Sequence, residues 1–186
     1  MSPVRRHSGK MALEIKGYAH YPRDRAVMVF LYGHHGTKLP SWFKKHDWGV
    51  EVVSVMTNLF QDRYSEGLSE YQEKEFSIRI SAPERAALEM LYHVSGKVTF
   101  DEASLIMENL AGIRPPLAQD LLMNYNSIKV KRLFMYLAYK LAYPWVEKLD
   151  PSKVDFGRGS RSILAHGMPD KKYKITVPRS NREDQV

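Results

Sequence analysis

At residue 81 the hydrophobic pattern of this chain changes period. Before that point Ala26–Tyr32 (AVMVFLY) and Val50–Met56 (VEVVSVM) are short, β-rich apolar runs bounded by turn residues, and Phe76, Ile78 and Ile80 alternate with polar neighbours. Runs of that length and period suit strands, and the three predict a small mixed β-sheet. Lys38–Lys45 (KLPSWFKK), with Pro40 near its start, predicts a short helical crossover between the first two strands, with Trp42 and Phe43 available to pack on the sheet. Ala12, Leu13 and Ile15 fit either a short helix stopped by Gly17 or a strand. Residues 61–75 carry Asp62, Glu66, Glu70, Glu73 and Glu75 with few apolar side chains, which predicts an exposed loop.

After residue 81 apolar side chains return every three or four positions. Ser81 and Glu84 stand in S-x-x-E spacing before Ala87, Leu88 and Leu91, and Thr99 with Glu102 repeats the spacing before Ala103, Ile106 and Met107. Both have the form of a capping box, so two helices are predicted. Pro115 and Pro116 open a third through Leu117, Leu121 and Leu122, broken by Asn124 and Asn126. Ser127 caps the fourth and longest, in which Val130, Leu133, Phe134, Leu137, Ala138 and Leu141 share one face until Pro144 stops it. Arg161–Ala165 and Tyr173–Val177 then read as a strand pair joined through Gly167, Pro169 and Asp170.

The expected class is therefore α+β: a small mixed sheet in the first half, a four-helix segment and a C-terminal strand pair. Residues 1–10 are expected to be a disordered lead-in. Residues 11–178 form one domain with a β-rich lobe at 11–80 and a helical lobe at 81–178, and 179–186 are a polar tail.

The absence of cysteine among the 186 residues excludes disulfides, thiolate metal sites and a cysteine nucleophile. No apolar run approaches the roughly 20 residues that span a bilayer, and the first ten residues have no apolar stretch of signal-peptide type, so no membrane association and a cytoplasmic location are expected. The net charge of +7 is unevenly placed. Residues 127–182 carry 13 basic and 4 acidic side chains, whereas residues 1–126 carry 15 of each. Such an asymmetry suits an acidic partner, although lysine and arginine also serve simply to keep a surface soluble.

Two segments concentrate that charge. In SIKVKRLFMYLAYK, Lys129, Arg132 and Lys140 fall away from the apolar stripe and Lys131 lies on its flank, and no acid stands between Asp120 and Glu147. At about 100° per residue these side chains form one exposed basic strip, fit for phosphates or for an acidic protein surface. In FGRGSRS, residues 156–162, Gly157 and Gly159 allow backbone N–H groups to converge on an anion beside Arg158 and Arg161. A glycine turn with two solvated arginines is the plainer alternative. The adjacent His34 and His35 lack nearby carboxylates or cysteines, so no metal site is expected there and a turn exposed to water fits better. His20, His46 and His93 stand singly without a nucleophile. Neither a G-x-S-x-G elbow nor a P-loop occurs, so no catalytic residues, no cofactor and no enzyme activity are expected. A phosphotransferase using the glycine loop would need a bound nucleotide and a carboxylate such as Asp155.

Taken in order, ISAPERAALEMLY, TFDEASLIMENL, IRPPLAQDLL, SIKVKRLFMYLAYKLAYPWVEKLD, the basic glycine loop and KYKITVP resemble the C-terminal domain of AbiEi-type antitoxins of type IV toxin–antitoxin, or abortive-infection, systems. ALEIKGYAHY, AVMVFLYG, KLPSWFKK and TNLF resemble the earlier part of the same domain, so the likeness spans most of residues 11–178. It implies an antitoxin domain that counteracts a cognate nucleotidyltransferase toxin in phage defence. Members typically carry a winged helix-turn-helix before this region, which represses their own operon. Only ten residues precede Met11, so that reader is not expected in this chain, and its own binding to DNA should be weak and non-specific. Lys129, Lys131, Arg132, Lys140, Arg158 and Arg161 are the candidate positive face. The alternative is a general nucleic-acid-binding module.

Overall fold

The structure, a computed structural model, describes residues 6–7, 10–18, 28–60, 65–73 and 76–178. Five strands form one mixed sheet in the order β3-β2-β1-β5-β4, namely Arg6–His7 (β1), Met28–Gly33 (β2), Glu51–Met56 (β3), Leu68–Glu73 (β4) and Phe76–Ser81 (β5). β2 and β3 run parallel, with Phe30 opposite Val53, and β4 and β5 form an antiparallel hairpin. β1 joins the two pairs, antiparallel to β2 and parallel to β5. Val29–Tyr32 are all buried, as a strand covered on both faces requires.

Two expectations change here. The lead-in contributes structure, since Arg6–His7 is a strand of the sheet and helix α1 (Lys10–Ile15) starts at Lys10; residues 1–5 and 8–9 lie outside the described residues. A strand of two residues is too short to carry a period, so no apolar pattern announces it. Leu68–Glu73, expected to be loop, is β4. It is an edge strand, where charged side chains are ordinary because one side faces water.

α1 settles as a helix, ended by Gly17 at φ 78°. The crossover helix α2 (Ser41–Lys45) forms as expected, but Trp42 does not pack on the sheet: it is 63% exposed. Phe43, His46 and Trp48 pack instead on one another, with ring centroids 4.6 Å apart for Phe43 and Trp48 and 4.4 Å for His46 and Trp48. His34 and His35 are exposed, in or beside the turn after β2.

The four-helix segment is α3 (Pro83–Tyr92), α4 (Phe100–Met107), α5 (Pro115–Asn124) and α6 (Ile128–Lys140). Thr99 caps α4 by accepting from the Glu102 N–H at 3.1 Å, and Ser127 caps α6 through Val130. The Ser81–Glu84 pair is not a capping box. Ala82 holds the cap position with Pro83 in the first turn, while Ser81 Oγ donates to Glu89 Oε2 at 2.7 Å and Glu84 receives the Arg114 side chain and N–H at 2.9–3.0 Å. Both carboxylates are buried, and each is held by an arginine, Glu84 by Arg114 and Glu89 by Arg85 at 3.0 Å.

α3 packs against α1, α5 and α6 and is buried from Glu84 to Leu91. The expected spine of α6 is in place for Val130, Leu133, Phe134, Leu137 and Ala138, all buried, whereas Leu141, just past the last helical residue, is only half-buried. After short 3-10 turns at Pro144–Lys148 and Pro151–Lys153, three strands rather than two complete the chain: β6 (Arg161–Ser162), β7 (Met168–Asp170) and β8 (Ile175–Val177), in the order β6-β8-β7. The antiparallel partner of β8 is β7, and β6 joins β8 in parallel. Residues 179–186 lie outside the described residues.

Candidate functional site

α6 is covered on two sides, and this decides the fate of its cations. The spine faces the other helices, while residues 154–177 fold back over a second face. Arg132 is 2% and Lys131 3% exposed, so the expectation of a continuous exposed strip fails for both. The Arg132 guanidinium gathers three carbonyls from the overlying loop and one from the residue before β8: Nε donates to Phe156 (2.8 Å), Nη1 to Gly159 (2.6 Å) and Lys174 (3.1 Å), and Nη2 to Gly157 (3.1 Å). A planar fork of five donors is suited to such a cluster of acceptors. Lys131 Nζ donates to the Asp155 carbonyl at 3.2 Å, and Lys129, half-buried, donates to the Val94 carbonyl just beyond α3, also at 3.2 Å. Burial lowers the pKa of both lysines, with the Asp155 carboxylate acting against it for Lys131.

The glycine loop takes its shape from the same contacts. Gly157 and Gly159 have φ of 61° and 71°, and a Cβ on Gly157 would lie 3.2 Å from Ile128 at the start of α6. In a trans peptide the N–H points opposite to the preceding C=O. With the Gly157 and Gly159 carbonyls turned in to Arg132, the N–H groups of Arg158 and Ser160 therefore point away from it. The Gly157 N–H is taken by Asp155 Oδ1 at 2.7 Å. Arg158 and Arg161 are exposed on this loop. Arg161 also lowers the pKa of Arg132, second to burial, which brings the two guanidinium charges into one field.

Of the six candidate cations, the structure thus groups Arg132, Arg158 and Arg161 around the glycine loop, the first beneath it and the other two outside. Lys131 anchors the loop's leading residue. Lys140, exposed in the last turn, stands two turns along α6 from Arg132, roughly 12 Å at 1.5 Å per residue. Lys129 is turned toward α3. No group of three or more histidine, aspartate or glutamate side chains that could hold a metal occurs among the described residues.

Beside the loop lies a cleft of about 860 Å³. Its lining includes Arg132, Met135 and Tyr139 of α6, Tyr143 and Val146 beyond that helix, and Lys172–Lys174. Tyr143 is fixed by its hydroxyl, shared between the Met107 and Glu108 carbonyls at 3.0 and 2.6 Å, and by stacking on Trp145 at 5.7 Å. Sequence reading passed over the Tyr139, Lys172 and Tyr173 side chains. The signal available was the basic–aromatic run KKYK at 171–174.

The molecule is thus an α+β chain in which a buried arginine fastens a basic loop beside an open cleft. Residues 26–178 match the family model described as transcriptional regulator, AbiEi antitoxin, type IV toxin–antitoxin system, and the chain belongs to that family. The match takes in β2 to β8 and α2 to α6, while β1 and α1 precede it. No curated protein gives a significant match. Among solved structures, the Rv2827c protein from Mycobacterium tuberculosis is similar, with a TM-score of 0.64 and 13% identity over 92% of this chain. At that identity the likeness establishes the fold. The chain spans 61% of that protein's length. Among the described residues no helix is long and apolar enough to cross a membrane.

Proposed function

We propose that this chain is the antitoxic domain that counteracts a cognate nucleotidyltransferase toxin, acting by binding rather than by catalysis. The observation that carries this reading is the exposed pair Arg158 and Arg161 on a loop whose shape is fixed from below by Arg132. A loop held by three charge-assisted hydrogen bonds presents its outer cations without a large ordering cost. Those cations, with Lys140 nearby, suit an acidic surface on the toxin or the phosphates of the nucleic acid it acts on. Family membership supplies the toxin–antitoxin setting.

Repression of its own operon belongs to a chain that also carries a winged helix-turn-helix. There the basic rim would add phosphate contacts beside those of the reading helix. Phage defence and action in the cytoplasm follow from the same reading. The test is co-expression with a nucleotidyltransferase-like gene neighbouring this one. Restored growth of toxin-expressing cells supports the reading, and continued arrest by a well-folded, well-expressed chain opposes it.

A further inference from the structure

We propose that the cleft between the C-terminal half of α6 and Lys172–Lys174 is a nucleotide site, holding a base against its tyrosines and phosphate against its cations. The inference goes beyond the antitoxic reading and does not rest on it. Arg132 lines the cleft as a nearly fully buried cation. Four of its N–H groups are used by backbone carbonyls, and among the described residues no carboxylate pairs with it. Carbonyl dipoles satisfy its hydrogen bonds but leave the full positive charge, whose field in a partly desolvated cleft favours an anion.

A second cation, Lys172, lines the same cleft. The Lys172 ammonium lies 3.2 Å from the centroid of the Tyr139 ring and 5.2 Å from that of Tyr173. It forms no ion pair among the described residues. Cation–π contact holds such a group in place without cancelling its charge. Tyr139 is 58% exposed and meets Tyr173 at a steep angle, with centroids 6.5 Å apart. The Lys172 ammonium covers one face of Tyr139, which leaves its other face and the neighbouring Tyr173 ring for a planar ring.

The chemistry of the lining narrows the occupant. A simple anion would leave the exposed tyrosine surface unused, and a neutral aromatic molecule would leave the cations without a counter-ion. A nucleotide uses both, and the cleft's size falls within the roughly 300–1,000 Å³ of small-molecule sites. Glu147, the carboxylate on the wall, is a suitable acceptor for sugar hydroxyls or a base amino group. The nucleotide has two sources, a free nucleoside triphosphate or one residue of a single strand, and stacking with cationic support serves either.

The test is isothermal titration calorimetry of the full chain against ATP, GTP, CTP and UTP, a single-stranded tetranucleotide, and tripolyphosphate as charge without a base. At least one nucleotide or the tetranucleotide should bind with a Kd below ~1 mM and at least ~10-fold tighter than tripolyphosphate. Tyr139→Ala and Lys172→Gln should each weaken that binding by at least ~10-fold, with an unchanged thermal midpoint because both side chains are exposed. Tighter binding of a free nucleotide identifies that source, and tighter binding of the tetranucleotide identifies a strand. Failure of every nucleotide and the tetranucleotide to bind, equal binding of tripolyphosphate, or indifference to both substitutions would overturn the proposal.

Discussion

Arg132 shows how little a charged residue's place on a helical wheel says about its surroundings. Its angle on α6 points away from the apolar stripe, which in an isolated helix means water. Its partners lie 24 to 42 residues downstream, beyond the reach of any local pattern. Arg158 and Arg161 were legible as exposed, because glycine on either side of Arg158 marks a turn. Arg132→Met keeps the stem's bulk but leaves up to four carbonyls without their donor. It should lower stability by about 2–4 kcal/mol, the scale of breaking a buried charged hydrogen-bond cluster. A substitution on a solvated helix face would cost only about 0.5 kcal/mol. Urea denaturation separates the two.

Among elements, the legible ones carried their own end signals. α4 and α6 each begin at a hydroxyl that caps in the folded chain, and β2 and β3 are dense apolar runs. β1 and β4 were hidden, because a two-residue strand is too short to show a period and an edge strand tolerates charged side chains. β2 and α3 are joined by a contact with a measurable pH signature. Tyr32 Oη donates to the Glu89 carbonyl at 2.9 Å and meets His93 Nε2 at 2.7 Å, while Phe30 packs on the imidazole with centroids 4.3 Å apart. Burial pushes the His93 pKa down from 6.5 to about 4, with the Glu89 carboxylate acting against it. The unfolded chain then binds the extra proton first as pH falls. The contribution of His93 is fully present above pH 6.5 and is lost progressively down to about 4. The loss should reach at most about 3 kcal/mol at 1.36 kcal/mol per pKa unit. Urea midpoints measured between pH 7 and 4.5 should fall for the native chain and fall less steeply for His93→Gln.

For the whole molecule, positive charge on a fixed loop supplies attraction to phosphate, while base reading needs side chains held against a groove edge. The described residues present no such docking helix as a separate element, since α3 to α6 are built into the core. Titrated against its own promoter and a scrambled duplex, the chain should bind both with similar, salt-sensitive, micromolar or weaker affinity. A strong preference for the promoter would mean that this domain reads sequence.

The division of labour between a buried arginine that builds the loop and outer arginines that use it is tested most directly by growth rescue with Arg158→Glu/Arg161→Glu. Both side chains are exposed, so the double variant should keep the thermal midpoint of the native chain. The account predicts that toxin-expressing cells no longer recover with it, whereas full recovery at native expression levels would show that the outer cations of the loop take no part in antitoxin action.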